Sequence, residues 1–108
     1  MLEINDTNFN EIKEGESIIV VDFWAPWCGP CRIMGGLMEE LATRFHGNEI
    51  QFYKMNVDEN PITSGNYSIR SIPTIMILKN GEMIEQITGL IPIKEISDKI
   101  DQAIKTSV

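Results

Sequence analysis

Two cysteines, the only thiols in the chain, stand in the segment Trp24-Ala25-Pro26-Trp27-Cys28-Gly29-Pro30-Cys31-Arg32. A pair this close suits either a reversible dithiol–disulfide couple or part of a metal site. A structural zinc site normally takes four ligands. The one histidine, His46, belongs to the far end of the helix that the cysteines open, where a basic side chain suits the negative helix dipole. No metal is therefore expected. A Cys28–Cys31 bridge closes too small a loop to restrain the unfolded chain much, so its use is chemical. Close pairs beside strand and helix signals read first as redox couples.

The redox chemistry needs a strand to end and a helix to begin at this segment. Ile18, Ile19, Val20, Val21, Phe23 and Trp24 form a nearly unbroken β-prone run, as expected for a central strand covered on both faces. After Pro30, Ile33, Leu37, Leu41 and Phe45 recur at helical spacing, and the helix is expected to end near Gly47. Cys28 then falls where the first helical N–H groups lack internal partners, which favours its thiolate. Pro30 needs no such N–H and stiffens the first turn. Cys31 lies one turn inward.

The flanking elements follow from the same patterning. Leu2 and Ile4 suggest a brief strand, and Phe9 and Ile12 a short helix boxed by Asn8 and Glu11 and stopped at Gly15. Gln51–Val57 reads as a strand, followed by a turn at Asp58, Asn60 and Pro61 and a short helical segment to about Tyr67. Thr74–Leu78 and Met83–Thr88 flank Lys79-Asn80-Gly81-Glu82, whose Asn-Gly pair suits an antiparallel hairpin. Ile93, Ile96, Ile100 and Ile104 stripe a closing helix. This order implies an α/β fold, a mixed sheet with helices on both faces. Without a G-x-G-x-x-G after a strand, a dinucleotide-binding sheet has little support.

At 108 residues, 43% of them apolar, the chain suits one core and one domain spanning 1–108. Its 9 Lys and Arg against 16 Asp and Glu give a net charge of -7, which repels nucleic acid and anionic lipid alike. The run Ile18–Trp24 is far shorter than the roughly 20 residues that span a bilayer. The opening MLEINDTNF has neither part of a secretory signal. A cytoplasmic monomer is the expectation. Met34, Met38, Met55 and Met76 read as flexible core filling, and Glu39, Glu40, Asp58 and Glu59 as solvated surface.

Trp-Cys-Gly-Pro-Cys after Val21-Asp22-Phe23-Trp24-Ala25, with Ser71-Ile72-Pro73-Thr74 later, closely resembles the thioredoxin family, and the resemblance covers nearly the whole chain. It implies the thioredoxin fold, a central mixed sheet of four to five strands with helices on both faces. It also implies reduction of disulfides in other proteins, with recharging by a thioredoxin reductase that is NADPH-linked or ferredoxin-linked. No cofactor is implied beyond the reversible Cys28–Cys31 disulfide. By position, Cys28 resembles the nucleophilic, more exposed cysteine and Cys31 the buried resolving cysteine.

Other roles are carried over in the same way. Asp22 interrupts the apolar strand, where a carboxylate is costly unless paired or protonated; it resembles the family's buried aspartate, which moves a proton to or from the resolving thiol, and Lys54 its basic partner. The plainer reading places Asp22 at a bulge or in water. Gly29 and Pro30 belong to the motif. The resemblance implies a cis Ile72–Pro73 bond facing the cysteines, and an Ile72 backbone that pairs with an extended target segment. Trp24 resembles a structural tryptophan and Trp27 a substrate-contacting one, with Ser71, Ile72, Thr88, Gly89 and Leu90 completing the contact surface.

The chain departs from the family pattern at Arg32, usually lysine, at Gly36, usually a kink-forming proline, and at Ser71, often glycine. Gly35 and Gly36 together should weaken the helix by about 1 kcal/mol each relative to alanine. A glutaredoxin-like exchanger is less consistent with Gly29-Pro30 and the two tryptophans, and a disulfide isomerase or periplasmic oxidant would more often carry histidine between the cysteines. A role from a different class is a binding subunit that uses the groove around Trp27 and Pro73.

Overall fold

The structure, a computed structural model, describes residues 1–47 and 49–105. In chain order these form β1 (Leu2–Glu3), α1 (Phe9–Gly15), β2 (Ile18–Trp24), α2 (Gly29–Arg44), β3 (Ile50–Asn56), α3 (Pro61–Asn66), β4 (Thr74–Lys79), β5 (Glu82–Thr88) and α4 (Ile93–Lys105). The five strands make one sheet in the order β1-β3-β2-β4-β5. β1 and β2 run parallel to β3, while β4 is antiparallel to both β2 and β5, so the sheet is mixed.

β2 lies in the middle, and its alternation sorts the two faces. Ile18 and Val20 point into a core built with Met34, Met38 and Leu41 of α2, Phe45 just past its end, and Ile96, Ile100 and Ala103 of α4. Ile19, Val21 and Phe23 point the other way, into a core with Phe9 of α1, Tyr53, Met55, Met76 and Leu78, flanked by Tyr67 and Ile69. Strand period therefore puts Asp22 and Trp24 on the α2 side. The expected methionines are core: Met34, Met38, Met55 and Met76 are all fully buried.

The β4–β5 turn has the expected form, with Asn80 at φ 53° and Gly81 at φ 84°, the left-handed pair that a tight hairpin requires. Ile77 pairs with Glu85 and Leu78 with Met83, so a bulge at Ile84 follows. The cap of α1 differs from expectation. Asn8 makes no side-chain cap within that helix. Instead Asn5 and Asn8 bond reciprocally, each Oδ1 accepting the other's N–H at 2.9 and 2.7 Å. The box closes one turn earlier because Phe9 N–H already bonds Asn5 carbonyl at 2.9 Å. Among the described residues no helix is long and apolar enough to cross a membrane.

Candidate active site

The carboxyl end of β2 passes through Ala25 and Pro26 into the first turn of α2, and Cys28 is the cap of that helix. Its extended backbone, at φ -91° and ψ 108°, turns Sγ back over the helix end. There Sγ accepts the Cys31 N–H at 3.2 Å, an otherwise orphaned donor. Cys28 and Cys31 are joined as a disulfide, with Cα atoms 5.3 Å apart. On reduction, the same N–H and the helix end would face a Cys28 thiolate and favour it.

The expected contrast in exposure is not present. Cys28 is 5% and Cys31 4% exposed, because capping folds the Cys28 sulfur inward. The two differ in surroundings instead. Cys28 Sγ stands 4.0 Å from the Ile72 carbonyl oxygen and beside Trp27, which is 68% exposed. Cys31 faces a separate cavity of about 280 Å³ behind α2, lined also by Asp22, Trp24, Lys54, Gly35 and Gly36.

Asp22 is 2% exposed, and its Oδ1 has no hydrogen-bond partner. Burial pushes its carboxyl up to about 7, and the Lys54 charge pulls part of the way back. Lys54 is the register partner of Asp22 across β2 and β3. Its ammonium stands over the Trp24 ring, 5.4 Å from the centroid, so it acts on the carboxylate through space. Asp22 lies in regular strand register, which excludes a bulge. A group that titrates near neutrality in the cavity that Cys31 also lines can take or give a proton there.

The opposite side of the cysteines is built from the start of β4. Ile72–Pro73 is cis. The Thr74 hydroxyl donates to the Ser71 carbonyl at 2.6 Å and lies 3.3 Å from the Thr88 hydroxyl, so β4 and β5 brace the loop. Gly89, at φ 97°, needs the left-handed freedom of glycine, and its N–H donates to the Pro73 carbonyl at 2.8 Å. Pro73 is buried, Ile72 and Gly89 are half-buried, and Ser71, Thr88 and Leu90 are exposed.

Sequence reasoning missed several contributors. Asp58, expected as plain solvated surface, accepts the Trp27 indole N–H on its Oδ2 at 2.9 Å and orients that ring. Asp6 reaches across to α3, where its carboxylate accepts the Ile62 and Thr63 N–H groups at 3.1 and 2.8 Å. In return Asn60 Oδ1 accepts the Asp6 N–H at 2.8 Å. Exposed Ile62 and Ile33 add apolar surface on α3 and α2. Partners this distant in sequence leave no local signal; only the lone apolar residues at exposed helical positions could have been noticed.

Comparison with known proteins gives a consistent result. The thioredoxin family model matches residues 1–102. The chain is 48% identical over 103 residues to thioredoxin 2 of Chlorobaculum tepidum, covering 94% of each. It is 40% identical over 105 residues to a thioredoxin of Haemophilus influenzae, covering 96% of this chain and 97% of that one. Among solved structures, a mutant thioredoxin from Halobacterium salinarum superposes with a TM-score of 0.87 at 27% identity, covering 99% of this chain and 93% of the other.

Proposed function

The chain belongs to the thioredoxin family and is a disulfide oxidoreductase with a redox-active cysteine pair, and on that premise we propose how its residues divide the work. The observation that carries the reading is the Cys28–Cys31 disulfide at the open end of α2, with Trp27 exposed on one side and Asp22 buried on the other.

In the reduced protein the Cys28 thiolate attacks a target disulfide. One target sulfur bonds to Cys28, and the other leaves with the electron pair and takes up a proton. Cys31 gives its thiol proton to Asp22, directly or through water, and its sulfur attacks Cys28. The Cys28–Cys31 bond forms, the Cys28–target bond breaks, and the second target sulfur leaves reduced. Two electrons have passed to the target. Lys54 tunes Asp22. Gly29 and Pro30 shape the turn that holds the sulfurs, and Pro73 walls the groove beside them. Trp27, Ser71, Ile72, Thr88, Gly89 and Leu90 form the docking face, where an extended segment can pair with the Ile72 backbone.

Disulfide-bearing proteins and a thioredoxin reductase, NADPH-linked or ferredoxin-linked, are the partners this cycle needs. We place the protein in the cytoplasm as a single-domain monomeric electron carrier without a bound cofactor, in keeping with its acidic charge of -7 and the reducing chemistry of an exchangeable pair. The test is trapping. Cys31→Ser should accumulate a mixed disulfide with a model protein disulfide, identified by mass, and Cys28→Ser should accumulate none. Trapping by Cys28→Ser, or full turnover without either sulfur, would refute the assignment.

A further inference from the structure

We infer that Gly35 and Gly36 hold open a solvent port behind α2, through which Asp22 exchanges its proton with water along a route separate from the docking face. The inference deepens the cycle proposed above and rests on it for its kinetic consequence.

The cavity of about 280 Å³ reaches Asp22 and Cys31, yet none of Trp27, Cys28, Ile72, Pro73, Thr88, Gly89 or Leu90 lines it. Its walls are largely apolar, but it opens to solvent, is large enough for water and carries the polar groups of Asp22, Lys54, Arg32 and Glu39. Asp22 is buried there, and its Oδ1 has no hydrogen-bond partner. Its rim is made by Arg32, Gly36 and Glu39, all exposed. The two glycines have no packing reason to be glycine. A Cβ built on either meets nothing within 4 Å, and neither residue has a positive φ. Each weakens the helix relative to alanine. What they provide is space: Gly35 follows Cys31 by one helical turn on the same face, and both glycines line the cavity that Cys31 and Asp22 share.

A bound target covers the face around Trp27 while the resolving step occurs. As the Cys31 sulfur attacks Cys28, the Cys31 proton passes to the Asp22 carboxylate, which then releases it to water in the cavity. The route stays open because the target does not cover it. Charged and titratable groups around that path are Lys54 from β3, Cys31, Arg32 and Glu39 from α2, and the Met1 ammonium, paired with Glu39 at 2.9 Å.

The experiment narrows the port with Gly35→Leu and, separately, Gly36→Met, the second at an exposed position that should fold even where the first does not. The Asp22 carboxyl carbon is titrated by NMR in the oxidised protein, and reduction of a protein disulfide is followed in single turnover. Displaced water should raise the Asp22 midpoint by about one unit. Resolution at pH 7 should slow about fivefold, the loss of ionised carboxylate that such a rise produces for a group titrating near 7, while mixed-disulfide formation at Cys28 keeps its rate. An unmoved Asp22 midpoint in the folded variants overturns the port, and so does equal slowing of both phases, which would mark a distorted helix. A raised midpoint in a protein whose parent reduces no disulfide would support the port and sink the proposed function.

Discussion

Replacing Asp22 by asparagine should stabilise the oxidised protein, and by an amount that depends on pH. The carboxyl is 2% exposed and titrates at about 7 instead of the ordinary 3.8, first because of burial, against the pull of Lys54. A raised carboxyl value means that folding disfavours the ionised form. Below about pH 4 the folded and unfolded chains both hold the proton, and the cost vanishes. Between pH 4 and 7 the unfolded chain ionises first, so stability falls as pH rises. Above about pH 8 the whole shift of about three units applies, at about 1.4 kcal/mol each, or about 4 kcal/mol. Asparagine removes that charge at similar volume but buries an amide, which costs about 1–3 kcal/mol. The net expectation is a gain of about 1–3 kcal/mol at pH 8.5 and none at pH 4.5. Urea unfolding of both proteins at pH 4.5, 6, 7 and 8.5, with unchanged m, measures it. The same variant should slow the resolving step by at least about tenfold at pH 7. A stability gain that is constant across pH, or largest in acid, would refute the assignment of the cost to a buried ionised Asp22.

Three further outcomes are expected. Asp6 is lifted by burial but lowered more by hydrogen bonds from the Thr63 side chain and the Thr63 and Ile62 N–H groups, so its net shift is downward. Its contribution is present above the unfolded carboxyl value and is lost as pH falls through the folded one. Asp6→Ala should therefore cost about 1 kcal/mol near pH 6 and less below pH 4, read by chemical unfolding. Trp27→Ala should lower kcat/KM for protein disulfides about tenfold, as for an exposed aromatic anchor, while the thermal midpoint stays put; Asp58→Ala should give a smaller loss of the same kind, because it frees the ring without removing it.

Much of this molecule was legible because its signals are local. The apolar run of β2 and the helical spacing from Ile33 to Leu41 each depend on one element's own period, although the face that α2 buries is that of Met34, Met38 and Leu41, with Ile33 turned to solvent. The Asn80-Gly81 turn was equally readable, since two residues must adopt positive φ there. The α1 cap was misplaced by one turn because Asn5 and Asn8 are both competent caps, and the entry of the chain from β1 decides between them. The exposure of Cys28 was overstated because sequence distance from the helix start says nothing about which way a capping sulfur turns.

By itself, the sequence determined the order of elements, the strand-to-helix junction at the cysteines and the presence of a carboxyl in an apolar strand, all consequences of residue type and short-range periodicity. Tertiary structure alone decided what surrounds that carboxyl. Strand register set Lys54 beside Asp22, and the packing of α2 on the sheet left a cavity joining Asp22 to Cys31 and the glycine pair. The indole of Trp27 met Asp58 for the same reason. Burial and through-space charge depend on distances between residues far apart in the chain, and those distances exist only once the sheet and helices have packed.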